Sequence, residues 1–288
     1  FVNIVGNPNV GKSTLMNQLV GEKLSIATFK AQTTRHRIMG IVNTDDAQIV
    51  FSDTPGVLKP NYKMQEMMLQ FSESALADAD ILLYVTDVVE NPEKNMDFLD
   101  KVSKMTIPVI LLINKIDESD QKKLGNLVET WHKLLPNAEI LPLSAKNKFG
   151  IDILMKRILE LLPESPAFFD KDQLTDKPAK FFVSEIIREK ILRYYDKEIP
   201  YSVEVVIERF KEDDRQIHIN AIIYVERSSQ KGIIIGHQGM ALKKVSTEAR
   251  KSLERFFDKK IFLETYVKVD KDWRNSQKEL NNFGYNPE

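Results

Sequence analysis

Eight residues near the start of the chain restrict its fold more than any others. Gly6-Asn7-Pro8-Asn9-Val10-Gly11-Lys12-Ser13 has the spacing G-x-x-x-x-G-K-[ST] and lies between an apolar run at 1–5 and a helical pattern at 13–20. Glycines let the backbone wrap closely, so that N–H groups point at phosphate oxygens. The helix that follows adds its positive N-terminal dipole. Lys12 is placed to neutralise β- and γ-phosphate charge, and Ser13 to offer a hydroxyl to Mg²⁺. Residues 6–13 together with Thr14 are therefore candidate nucleotide contacts. A strand must feed this loop and a helix must leave it, which is the grammar of an α/β fold.

The rest of the first 162 residues keeps that grammar. Strand candidates are 1–5, 38–43, 48–52, 81–86, 109–113 and 139–143, with helical patterns at 13–20, 63–78, 93–105, 121–135 and 151–162. Most strands are short Val/Ile/Leu runs, as expected where both faces of a parallel sheet are covered. Thr44-Asp45-Asp46 makes 38–43 and 48–52 an antiparallel hairpin. The alternation predicts a doubly wound, mostly parallel α/β domain over 1–165. Pro163, Pro166 and Pro178 punctuate a polar stretch, and 166–180 is expected to be a linker. Beyond it, a helix, two strand-like runs, a glycine turn, a long helix and a last strand predict an α+β domain over 181–275. Residues 276–288 are expected to form a tail.

Composition excludes several classes. The 288 residues include no cysteine, so there is no disulfide framework and no thiolate metal site. The longest apolar runs, such as 107–113, fall far short of the roughly 20 residues a spanning helix needs. No signal peptide is evident, and a cytoplasmic location is expected. The chain opens at Phe1 inside a strand-like run, so a short natural N-terminus is expected to be missing. The net charge of −1 conceals an asymmetry: residues 227–260 carry 9 Lys+Arg against 3 Asp+Glu. A local basic patch of this kind suits nucleic acid, although a solvated helix face would look the same.

Three further motifs follow strands. Asp53-Thr54-Pro55-Gly56 places a carboxylate to hold Mg²⁺ and a Gly56 N–H to meet a γ-phosphate. Asn114-Lys115-Ile116-Asp117 offers an Asp117 carboxylate that accepts both N1–H and N2–H of guanine. Adenine has no such donor pair and would leave the carboxylate unpaired. Ser144-Ala145-Lys146 can present backbone N–H to guanine O6. Each motif is weak alone, but all lie at the C-terminal edge of one sheet, where such folds bind ligands. Together they predict a GTP/GDP site. The polar segment 29–36 lies between the first helix and the hairpin. A threonine there can complete the Mg²⁺ shell when a γ-phosphate is present, with Thr34 the candidate and Thr33 its alternative. His36 is expected to be a loop or partner contact rather than a base.

With these residues in view the chain resembles the Era family of bacterial GTPases over nearly its whole length. The phosphate loop, 30–37, the three base and switch motifs, Ser184-Glu185-Ile186-Ile187-Arg188-Glu189-Lys190, Glu198-Ile199-Pro200-Tyr201-Ser202-Val203 and Val225-Glu226-Arg227 all fit. The resemblance implies a monomeric GTPase with a type II KH domain that binds the 3′ end of 16S rRNA and assists small (30S) subunit assembly. It also implies peripheral association with the inner membrane, for which no amphipathic anchor is evident. Where Ras-like GTPases carry a water-positioning glutamine, this chain has Val57. Slow intrinsic turnover is therefore expected, with a scaffold of negligible turnover, or action on another RNA, as alternatives. Asn9 matches the asparagine that helps hold K⁺ in potassium-activated relatives, where the cation would neutralise transition-state charge. Lys12, Thr34, Gly56 and Asn9 are thus the catalytic candidates.

Within the second domain, Gly236-His237-Gln238-Gly239 is a G-x-x-G between an apolar run and a helix. A KH domain clamps single-stranded backbone with such a loop. Candidate RNA contacts are Lys231, Gly232, Ile235, Gly236, His237, Gln238, Gly239, Lys243, Lys244 and Arg250. Ile233 to Ile235 would form part of the groove under the bases. Tyr194, Tyr195, Phe256 and Phe257 are expected in the core.

Overall fold

The computed structural model describes residues 1–287 and divides into two compact units, one spanning residues 1–61 and 65–176 and the other centred on 177–286. In the first unit six strands form one sheet in the order β2-β3-β1-β4-β5-β6. They are β1 (Val2–Gly6), β2 (Ile38–Asn43), β3 (Gln48–Asp53), β4 (Ile81–Asp87), β5 (Val109–Asn114) and β6 (Glu139–Pro142). Only β2 runs antiparallel, paired with β3 from Ile38↔Asp53 to Asn43↔Gln48. Every residue of β1 and of β4 is buried, because helices cover both faces. The helices are α1 (Lys12–Val20), α2 (Lys63–Ala77), α3 (Met96–Ser103), α4 (Gln121–Leu134) and α5 (Ile151–Leu161).

Register positions the site. Ile4 pairs with Asp53, Gly6 with Val85, and Asp87 with Asn114. Four parallel strands therefore finish side by side, and the loops that leave them open on one edge. Helix α3 starts three residues later than its sequence pattern suggests. Asn91 accounts for this: its side-chain and backbone oxygens accept the N–H groups of Glu93 and Lys94, which turns the chain before the helix begins.

The stretch expected as a linker is in part a strap on the outer edge of the sheet. Ile41 N–H donates to Leu174 O at 2.8 Å, Thr175 Oγ1 to Met39 O at 2.7 Å, and Met39 N–H to Asp176 Oδ1 at 2.9 Å. Gln48 Oε1 accepts the N–H groups of Phe168 and Phe169. An exposed β2 edge would otherwise present unpaired backbone groups. No periodicity marks the strap, because its bonds use backbone and scattered polar side chains.

The second unit runs α6 (Ala179–Tyr194), β7 (Glu204–Glu212), β8 (Gln216–Val225), α7 (Ser228–Ile235), α8 (Met240–Phe257), β9 (Lys260–Val269) and α9 (Gln277–Asn282). Its sheet has the order β7-β8-β9, antiparallel then parallel, and an apolar core of mostly Val and Ile lies between sheet and helices. Two expectations change. The apolar run before the glycine turn is helical: Gln230 Oε1 accepts from the N–H groups of Glu226 and Arg227 and fixes the start of α7. The expected tail is packed: Leu280 and Tyr285 are buried, and Tyr285 OH donates to Glu204 Oε2 at 2.7 Å. Trp273 is also buried, its Nε1–H bonded to Ser202 O. Among the described residues no helix is long and apolar enough to cross a membrane.

Gly125 sits inside α4 on an exposed face, and a Cβ there would meet nothing within 4 Å. Gly125→Ala should stabilise the first unit by about 0.5–1 kcal/mol, since alanine has less backbone entropy to lose. Urea unfolding is expected to show a higher midpoint at unchanged slope.

Candidate functional site

The phosphate loop is the turn between β1 and α1. Asn9 and Gly11 take positive φ, 67° and 98°, which coils residues 6–13 around the N-terminus of α1. Lys12 is folded inward and buried, its Nζ donating to Gly6 O at 3.0 Å and Asn7 O at 2.8 Å. Burial pulls its pKa down to about 8, against the opposing pull of Asp53 and Glu90. Such a lysine gains strongly from an anion, because little solvent competes for its charge.

Beside it three oxygen donors converge. Ser13 Oγ is 2.8 Å from Asp53 Oδ2 and 2.8 Å from Thr34 Oγ1, and Thr34 Oγ1 is 3.4 Å from Asp53 Oδ2. Burial raises the Asp53 pKa although Lys12 and its hydroxyl partners lower it. Its Oδ1 is buried with no hydrogen-bond partner. A hard divalent cation suits this set of oxygens and would satisfy that atom. The two threonine candidates separate here. Thr33 Oγ1 turns instead to Thr28 Oγ1 at 2.7 Å and to Lys30 O. His36 packs edge-on against Phe71, with ring centroids 5.9 Å apart.

The base loops are locked to the phosphate loop. Asn114, almost fully buried, donates from Nδ2 to Val10 O at 2.8 Å and accepts from Ala145 N–H at 3.0 Å. Lys115 takes a left-handed backbone (φ 61°) and reaches Asn9 O at 2.7 Å and Asp87 Oδ2 at 2.6 Å. Asp117 is exposed, with Oδ1 accepting from Ser144 Oγ. Lys146 is exposed on the same turn. The loop after β3 is tied in as well: Thr54 Oγ1 donates to Ile4 O, and Val57 N–H to Gly6 O at 3.0 Å. Pro55 is buried, and Gly56 packs against Pro8. The Val57 side chain is buried in the core formed with Val5, Phe98 and Leu99.

Sequence motifs alone did not reveal Asp87. Asp87 pairs with Lys115 and also accepts the N–H groups of Val89 and Glu90. Its position at the end of β4, on the functional edge, was the available signal.

In the second unit the G-x-x-G loop joins α7 to the 18-residue α8. Gly236 and Gly239 have φ of 72° and 75°, and even Gln238 is left-handed at 51°. A Cβ on Gly236 would lie 2.6 Å from Ala241 Cβ. His237 and Gln238 are exposed. Of the apolar run, Ile234 is buried in the core, Ile233 is half exposed and Ile235 is partly buried. Lys231, Gly232 and Lys243 border the loop, with Gly232 and Lys243 exposed. Lys244 Nζ lies 4.4 Å from the Tyr194 ring centroid, and Arg250 pairs with Glu254 at 2.7 Å. These two cations already have partners, so their availability to phosphate is reduced. Tyr195 is buried as expected, its OH bonded to Ile234 O at 2.6 Å; burial pushes its pKa up to about 12. Tyr194 and Phe256 instead remain about 40% exposed.

Comparison with known proteins covers the whole chain. A family described as 50S ribosome-binding GTPase matches residues 1–115, and the KH domain family matches residues 198–274. GTPase Era of Clostridium kluyveri is 44% identical over 287 residues, 99% of this chain and 98% of its own. GTPase Era of Leuconostoc citreum is 45% identical over 292 residues, covering 100% of this chain and 96% of its own. An Aquifex aeolicus Era variant bound to GDP and AlF4⁻ superposes with a TM-score of 0.94 at 38% identity, over 99% and 98% of the two chains. An Era complex with MgGDPNP and nucleotides 1506–1542 of 16S ribosomal RNA gives the same score and identity, over 99% and 97%.

Gly11→Ala should weaken nucleotide binding severely. Its Cβ would stand 2.2 Å from Asn114 Nδ2 on a backbone at φ 98°, so it would break the bridge between phosphate and base loops. Calorimetry with GDP is expected to show affinity reduced by at least about 100-fold, the equivalent of two or more lost hydrogen bonds.

Proposed function

Because the chain belongs to the Era family of GTPases, we propose that it is a GTP-switched factor that binds the 3′ end of 16S rRNA and assists assembly of the small ribosomal subunit. The observation that carries this is the union in one chain of a magnesium-type oxygen set, a guanine-type base loop and a G-x-x-G loop opening a basic helix. The similar Era protein that holds MgGDPNP and 16S nucleotides 1506–1542 together supports it.

GTP cleavage is the chain's enzymatic activity. In this reading residues 6–14 surround the phosphates, with Lys12 countering their charge. Ser13, Thr34 and Asp53 would hold Mg²⁺, which when bound screens charge on the β- and γ-oxygens. Gly56 N–H would register the γ-phosphate, and Asp117 would read guanine with Ser144, Ala145 and Lys146 at O6. The buried Val57 cannot orient a water, so turnover is slow and waits on outside help. Asn9, exposed at φ 67° in the phosphate loop, is the residue we assign to K⁺. The protein acts as a cytoplasmic monomer in this scheme. Lys231, Gly232, Ile235 and residues 236–239, with Lys243, take the RNA backbone and bases. Lys244 and Arg250 contribute only if they leave their present partners.

Two measurements test the scheme. An oligonucleotide of the 16S 3′ end should bind more tightly with a GTP analogue than with GDP, and a scrambled RNA should bind weakly in both states. Equal binding of the scrambled RNA would end the rRNA assignment. Multiple-turnover hydrolysis should rise in K⁺ over Na⁺, and Asn9→Ala should remove that rise. A rate indifferent to the cation would remove K⁺ from the mechanism.

A further inference from the structure

Asn95 stands at the N-cap of α3, with φ −135° and ψ 63°. An asparagine there ordinarily accepts a hydrogen bond from an N–H one turn into its own helix. Asn95 makes no such bond. Its Nδ2 instead donates to Val57 O at 3.1 Å and to Asn7 Oδ1. Val57 O can only accept, which fixes the orientation of the amide. Val57 N–H already donates to Gly6 O at 3.0 Å. Both backbone polar groups of Val57 are thus tied to the phosphate loop, one directly and one through Asn95. Asn7 itself is buried, and its amide faces Glu90, whose Oε2 accepts from Thr86 Oγ1 at 2.8 Å. The helix forgoes its cap, and the side chain spent there spans two loops of the nucleotide site.

We infer that Asn95 is a positioning residue: it latches the loop after β3 to the phosphate loop, and so sets how fully Gly56 meets the γ-phosphate. This rests on the role assigned to Gly56 above. The residue after Gly56 has no side chain that could hold the loop over the phosphates, because Val57 is sunk in the core. The backbone must therefore supply the order. Gly56 is wedged against Pro8, where a Cβ would lie 2.7 Å from proline atoms, so a small movement of Val57 shifts the Gly56 amide directly. Loosening the latch removes closed conformers, which lowers the rate of cleavage and the advantage of GTP over GDP. Contacts to the base lie on other loops, and the phosphate loop keeps its ties to Lys12, Asn114 and Lys115.

Asn95→Asp keeps the shape but loses both donors, and Asn95→Ala removes the side chain. For the full chain, kcat and KM for GTP would be measured beside dissociation constants for GDP and for a non-hydrolysable GTP analogue, with thermal melting to confirm folding. Both variants should lower kcat about tenfold, as expected when the two part-buried hydrogen bonds of the latch are lost. The analogue should bind several-fold more weakly, while the GDP constant stays within about twofold, since only γ-phosphate contacts are lost. An unchanged kcat in Asn95→Asp overturns the inference. So does a parallel loss of GDP and analogue affinity, which would make Asn95 merely structural. Absence of GTP cleavage by the parent chain in the same assay would instead strike the Gly56 assignment and the inference together.

Discussion

One buried amide sets the spacing on which the nucleotide site depends. Asn114 donates to Val10 O and accepts from Ala145 N–H, so a single side chain joins the phosphate loop, the end of β5 and the loop after β6. These loops leave different strands and would otherwise drift relative to one another. Buried from water, the two bonds face little competition, and losing either would strand a polar group in the interior. Lys115 repeats the connection one residue on, through Asn9 O and Asp87. The span between phosphate and base is therefore built into the protein before ligand arrives. That is the structural source of preorganised affinity. It also explains the strictness at Gly11, whose missing Cβ leaves the room that Asn114 occupies.

The two glycine loops solve a common problem in opposite ways. Each feeds a helix N-terminus, at α1 and at α8, through left-handed backbone, a geometry that suits anion binding. The first is clamped by neighbouring side chains on both sides, as fits a ligand of fixed size. In the second, Gly236 packs against Ala241, while a Cβ at Gly239 would meet nothing within 4 Å. An open loop accepts a polymer that enters and leaves along its length. Cation placement agrees with that difference: Lys12 is buried, whereas Lys243 stands free in solvent.

What was legible in the sequence was what repeats a short local rule. The strands of the first unit are near-continuous apolar runs, and the four motifs at their ends are contiguous in sequence, so both sheet and site could be located. Features made by long-range pairing were not legible. The strap over β2 depends on Thr175 and Asp176 meeting Met39 across 136 and 137 residues, with no pattern of its own. Helix α7 was hidden because its eight residues include Gly232 and two serines, too few and too weak in propensity to show a period. Asn95 fell inside the helical pattern expected over 93–105 and carried no motif. Only the fold reveals that its partners lie 38 and 88 residues away.

Val57 draws these threads into one account of the switch. A hydrophobic residue after Gly56 could have faced the phosphates and merely failed to help. Here it is an anchor in the core with Val5 and Phe98, and its burial holds that part of the loop on the body of the domain. Removing a leucine- or valine-sized side chain from such a core typically costs on the order of 2–4 kcal/mol, so this anchor is not released by thermal motion alone. The side chain therefore contributes order rather than chemistry, and the order passes through the backbone to Gly56. In the proposed scheme, charge stabilisation for cleavage would come from Lys12 and from the cation held at the oxygen donors. In the proposed scheme a loop built this way would hold GTP in a defined state at the expense of speed. That exchange suits a protein whose useful output is the duration of a bound state rather than the flux of product.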